Sequence, residues 1–128
     1  MKNLAYTVET DKAFDEVSRL VEKLSPERGF RVLAVHDVQK TLSEKGLEIM
    51  PLKIFEICNA GLAHKAIDSD VNVAMFMPCK IVIRSEGDKT SVTLVRPSMI
   101  AKMLPDSGLG DLAAEVEDKL RGILDEIG

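Results

Sequence analysis

Five consecutive residues, Phe55-Glu56-Ile57-Cys58-Asn59, hold most of the chemistry in this 128-residue sequence. On a strand, Ile54, Glu56 and Cys58 share one face while Phe55 and Ile57 share the other. Cys58 then stands at the mouth of a helix that Asn59 caps, where the positive dipole end lowers a thiol pKa. The carboxylate of Glu56 on the same face works in the opposite sense, because a nearby negative charge disfavours a thiolate. A carboxylate among Ile54, Phe55 and Ile57 is costly unless it is paired, hydrogen-bonded or open to a pocket. The structural alternatives are a small half-buried cysteine, a capping asparagine and a glutamate that points to solvent at a strand end.

A second sulfur, Cys79, follows Pro78 and opens a strand. It lies far outside Cys-x-x-Cys spacing from Cys58, and no further Cys or His pair sits nearby, which argues against structural zinc. The two thiols meet only if the strands they border are neighbours. Met75, Met77 and Cys79 would place three soft ligands on one face, suited to Cu(I), if residues 71–83 formed a continuous strand. Pro78 interrupts that strand, and methionine is more often core filler. His36 and Asp37 point to opposite faces of a strand, and Asp37 is placed to cap the helix that begins at Val38. His64, near Lys65 and Asp68, reads as part of a solvated helix face. No nucleophile elbow, dinucleotide fingerprint or phosphate-binding loop is present, so the sequence carries no recognised enzyme signature.

Composition sets the outer limits. The chain is 45% hydrophobic and 30% charged, the balance of one globular domain that buries a core without disulfide staples. Two cysteines suit a reducing compartment, and a cytoplasmic location is expected. The stretch from Met1 to Tyr6 lacks the apolar region of a secretory signal, and no apolar run is long enough to span a bilayer. The net charge is −4, and the segment from Gly108 onward accounts for all of it, with six acids against two bases. With no Trp, one Tyr and no basic stripe, the chain is a poor partner for nucleic acid.

The elements that must position these residues follow from periodicity and turn chemistry. Leu4–Glu9 reads as a first strand, and Thr10 or Asp11 as the cap of a helix with Phe14, Val17, Leu20, Val21 and Leu24 on its buried stripe. Ser25-Pro26 stops that helix, and Arg28-Gly29 makes a turn. Phe30–Asp37 is apolar on both faces and reads as a central strand covered twice, with Val32, Ala34 and His36 on one side. A short helix from Val38 to about Lys45 ends at Gly46. Leu52–Cys58 forms a third strand, followed by a helix from Asn59 to about Ile67. The pattern over Val71–Met77 assigns neither helix nor strand. Lys80–Arg84 and Ser91–Val95 form strands joined by a hairpin loop, and Pro97 opens a short helix in which Met99 and Met103 are expected core residues. A long terminal helix carries Leu109, Leu112, Val116, Leu120, Ile123, Leu124 and Ile127, with Glu115–Lys119 and Glu117–Arg121 pairs on its wet side. The fold expected is α+β, with a mixed sheet of about five strands in the order βαβαβαββα.

Taken together, Gly29-Phe30, His36-Asp37-Val38, Lys45-Gly46, Phe55-Glu56-Ile57-Cys58-Asn59 and Pro78-Cys79 resemble the bacterial and archaeal family known as domain of unknown function 302. The resemblance spans nearly the whole chain. It implies a small α+β domain, usually a homodimer, with no established activity. It also places the family's typical polar and cysteine positions at Asp37, Lys45, Glu56, Cys58, Asn59, Pro78 and Cys79. Members often carry Pro after the Asn, whereas Ala60 follows Asn59 here and leaves the asparagine as the cap.

The expectation is a dimeric small-molecule-binding domain whose pocket lies at strand-to-helix junctions and is lined by Asp37, Lys45, Glu56, Cys58, Asn59 and Cys79. No cofactor, metal, nucleic acid or membrane enters this reading. Two alternatives stay open: a thiol-based redox or sulfur-transfer protein using Cys58, Cys79 or both, and an interaction module whose dimer surface is its function.

Overall fold

Strand β1 (Ala5–Thr10) leads into helix α1 (Phe14–Glu27), which crosses the sheet to strand β2 (Arg31–Asp37). The computed structural model describes residues 4–128, so Met1, Lys2 and Asn3 of the stretch read for a signal lie outside it. Helix α2 (Val38–Ser43) connects β2 to β3 (Leu52–Cys58), and α3 (Ala60–Ser69) follows directly. A 3-10 helix over Val71–Phe76 then precedes β4 (Cys79–Glu86) and β5 (Lys89–Val95). Two further helices, α4 (Pro97–Met103) and α5 (Gly110–Ile127), complete the chain.

The single-domain α+β reading and its element order hold, with one correction to the sheet. Its strand order is β1-β5-β4-β3-β2, and every pairing is antiparallel rather than mixed. A strand-helix-strand start suggests two parallel neighbours. Here α1 instead carries the chain from one edge of the sheet to the other, and β3, β4 and β5 fill the space between.

That crossover makes β2 an edge strand, not a central one. Leu33 is 52% exposed, and the register shifts between Val32 and Ala34. This bulge reverses the alternation. Val32 and Val35 pair with Ile57 and Phe55 on the core face, while Ala34 and His36 pair with Glu56 and Ile54 on the other.

Helices α1 and α5 cover the core face. Val17, Val21 and Leu24 from α1 and Leu120, Ile123, Leu124 and Ile127 from α5 meet Phe55, Ile57, Ile81, Ile83, Val92 and Leu94 of the sheet. Neither Thr10 nor Asp11 caps α1: its N-cap is Ala13, without a side-chain bond. Thr10 Oγ1 accepts from Lys12 N at 3.2 Å, and Asp11 pairs with Lys89 at 2.8 Å. Pro26 sits within the last turn of α1, and the helix runs on to Glu27 rather than stopping at Ser25-Pro26. The helix closes at Gly29, φ +84°, where Phe30 N donates to Ser25 O at 2.8 Å and Gly29 N to Pro26 O at 3.0 Å. This paired closure needs a left-handed residue, which glycine supplies without a Cβ penalty.

Candidate functional site

Three junctions converge at one end of the sheet: β3 to α3, the 3-10 helix to β4, and β5 to α4. Between them lies a cavity of about 320 Å³. Leu62, Ala63 and Ala66 of α3 form one wall, with Val73 and Phe76 of the 3-10 helix beside them. Pro97, Ile100 and Ala101 of α4 and Leu109, Leu112, Ala113 and Val116 of α5 form another. The apolar stripe of α5 therefore has two duties. Its second half packs on the sheet, and its first half lines the cavity.

Cys58, Asn59 and Cys79 all reach this cavity. Strands β3 and β4 are neighbours, and Ile57 stands opposite Cys79, so Cys58 is diagonal to Cys79 at the cavity with its side chain on the alternate face of the sheet. Both are free and half-buried. Burial pushes the Cys79 thiol up to about 11; the nearby Cys58 adds to the rise and the Lys80 ammonium partly offsets it. A thiol so raised stays protonated at neutral pH and is a poor nucleophile.

Asn59 has both ends of its amide committed. Oδ1 accepts from Leu62 N at 3.0 Å and caps α3, while Nδ2 donates to Gly29 O at 2.9 Å. The expected capping role is present, together with a tie to the α1–β2 turn.

Asp37, Lys45 and Glu56 do not line the cavity. Asp37 caps α2, its Oδ1 accepting from Lys40 N at 3.0 Å. Lys45 is exposed in the turn beyond α2. Glu56 lies on the sheet face opposite the core, with its Oε1 3.1 Å from His36 Nε2. His36 and Asp37 form no dyad, and His64 pairs on an exposed helix face with Asp68 at 3.6 Å.

The sulfurs are arranged differently from a strand face. Met75 lies in the 3-10 helix, Met77 precedes Pro78 through a cis peptide, and β4 begins only at Cys79. All three nevertheless line the cavity, and Met75 is 71% exposed at its edge. Among the described residues, no group of three or more His, Cys, Asp or Glu is arranged to hold a metal ion, and no helix is long and apolar enough to cross a membrane.

The sequence matches the family Domain of unknown function DUF302 over residues 6–127. The chain belongs to the DUF302 family. A crystal structure of an uncharacterized conserved DUF302 protein from Bacillus stearothermophilus is similar at a TM-score of 0.91 and 32% identity, over 95% of this chain and 96% of that one. Comparison with curated proteins gives no match.

Sequence reasoning about this DUF302 domain missed most of the cavity wall. Leu62, Val73, Phe76, Ile100 and Leu112 carry no polar atom, and periodicity reports that such residues are covered without reporting by what. Met103, expected in the core, is exposed. Glu117, expected on the wet side of α5, is only 6% exposed and holds α4 against α5.

Proposed function

We propose that this DUF302 domain binds a small, largely apolar molecule in the cavity at the end of its sheet, and that it does so as a cytoplasmic homodimer. The observation that carries the reading is the cavity itself, about 320 Å³ and walled mainly by aliphatic side chains. Ligand pockets begin at roughly 300 Å³, and they are mostly apolar with a few polar groups that orient the guest. Cys58, Asn59 and Cys79 are those groups here. Two unpaired thiols suit a reducing compartment. The homodimer rests on the family resemblance.

Titration with the neutral fluorophore 1-naphthylamine tests the binding reading. One probe per chain is expected to bind with enhanced emission, and Ala66→Trp, which fills the cavity, is expected to abolish uptake. Absence of uptake, or equal uptake by the filled variant, overturns it. A monomer in sedimentation equilibrium at micromolar concentration overturns the dimer.

A second reading, thiol-based redox or sulfur transfer, draws support from the presence of Cys58 and Cys79 in the lining of one cavity. The raised pKa of Cys79 weighs against it as an attacking group.

A further inference from the structure

We propose that the ligand is an amphipathic monoanion, an alkyl or aryl carboxylate of about ten to twelve carbons, held with its chain in the cavity and its carboxylate at Lys80. The inference rests on the binding reading above and adds the chemistry of the guest.

Size comes first. An apolar cavity of about 150 Å³ stays dry and takes up benzene, with six carbons. The cavity here is about 320 Å³, roughly twice that, and so suits about twice as many carbons. An apolar guest of this size gains free energy by leaving water in proportion to the surface it buries.

Polarity comes second. Lys80 is the single charged residue among the described residues that line the cavity, and no acid lines it. Asn59 has one N–H and one lone pair committed to the backbone, so it offers a guest a second donor or acceptor but no charge. Lys80 differs. Its side chain is exposed, and its ammonium, with three donors, meets the Pro78 carbonyl only at a long 3.4 Å. A carboxylate would give it a stronger, charge-assisted partner.

Position comes third. Lys80 stands one residue beyond the Ile81–Leu94 pair, which sets it beside Val95 across β4 and β5. Val95 and Met75 also line the cavity, yet they are 46% and 71% exposed, so this side is the mouth. A guest entering here would keep its charged end in water beside Lys80 and bury its chain. Lys80 shares the face away from the core with Glu56, its partner across β3 and β4. It reaches the mouth at the end of the sheet, where its ammonium lies 3.4 Å from the carbonyl of the cavity-lining Pro78. Glu56 is the competing carboxylate, with Oε1 3.1 Å from His36 Nε2 and Oε2 the oxygen a guest must displace.

Displacement of 1-naphthylamine by decanoate and by decan-1-ol tests the inference. Decanoate is expected to bind about five-fold more tightly than the alcohol, the scale of an exposed ion pair. Lys80→Met is expected to bring the two within two-fold of each other without changing the affinity for the alcohol, and Lys80→Arg to restore the preference. If wild type binds both compounds equally, or Lys80→Met keeps the preference, the carboxylate assignment is wrong and the cavity reading survives. If neither compound displaces the probe, the guest class is wrong; if the probe itself does not bind, the binding reading falls as well.

Discussion

Asn59 and Gly29 are joined by a hydrogen bond of 2.9 Å from the asparagine Nδ2 to the glycine carbonyl, across 30 residues of sequence. The bond ties the end of β3 to the turn that closes α1. Both sit beside the cavity, since Phe30 and Asn59 line it. A single side chain thus caps one helix with its oxygen and holds the exit of another with its nitrogen. Asn59→Ala removes both bonds and is expected to lower stability by about 1–2 kcal/mol, the range of a lost N-cap. Asn59→Asp keeps the acceptor for Leu62 but loses the donor to Gly29, so its urea midpoint is expected between those of wild type and Asn59→Ala. A midpoint equal to wild type would mean the Gly29 contact contributes nothing.

Cys79 offers a test that reads both its burial and the thiol hypothesis. With its pKa near 11, it holds about one part in ten thousand as thiolate at pH 7. Native protein treated with iodoacetamide at neutral pH is expected to keep Cys79 unmodified, and the denatured protein to lose it. Its rate should climb about ten-fold per pH unit toward pH 11. Rapid native labelling of Cys79 at pH 7, read by peptide mass spectrometry, would instead favour the redox reading.

The same burial links stability to alkaline pH. An unfolded cysteine titrates near 8.5 and the folded one near 11, so between these values the unfolded chain releases a proton that the native chain retains. Stability therefore falls as pH rises through that window, by at most about 1.4 kcal/mol per pH unit from this group. Below pH 8 its contribution is constant. Cys79→Val is expected to remove this share of the alkaline decline, measured as urea midpoints at pH 8 and pH 10.5.

How far the sequence alone reaches depends on how far apart the deciding partners lie. Caps at Asp37 and Asn59 are legible because the acceptor and its amide are three residues apart. Strands β3, β4 and β5 are legible from alternation and from the Gly87 turn. The place of β2 is not, because apolar residues on both faces look alike whether a strand is doubly covered or bulged at an edge. For the site, the Cys58, Asn59 and Cys79 positions stand out because they carry heteroatoms at element ends. Glu56 stands out equally, but a side chain's face is set by register with the neighbouring strand, and pairing with Ala34 of β2 puts it on the face away from the core, outside the cavity lining. Glu117 shows the same limit. Its spacing from Arg121 fits a solvated pair, which is present at 3.5 Å, while the partners that bury it lie about twenty residues upstream on another helix.

Glu117 carries the remaining prediction. Helix α4 begins with no side-chain cap of its own, and the Glu117 carboxylate supplies one from α5. Its Oε1 accepts from Ser98 N at 3.1 Å and Ser98 Oγ at 2.6 Å, and its Oε2 from Arg96 Nε at 3.0 Å. Burial alone would raise its pKa. The bonds from the Ser98 hydroxyl and N–H, then from Arg96, outweigh that and hold it below the usual carboxylate range. The folded pKa is therefore depressed: the stabilisation is present above the unfolded value, near 4.3, and is lost as pH falls through the folded one. Glu117→Gln keeps the shape but not the charge and is expected to cost about 1.5–3 kcal/mol at pH 7, the range for hydrogen bonds to a charged group. Thermal melts from pH 7 to pH 2.5 should show a shallower acid limb in the variant. Because Pro97, Ile100 and Ala101 of α4 line the cavity, the variant should also exchange its α4 amides faster and bind the naphthylamine probe more weakly. An unchanged acid limb would show that this carboxylate is not what couples α4 to pH.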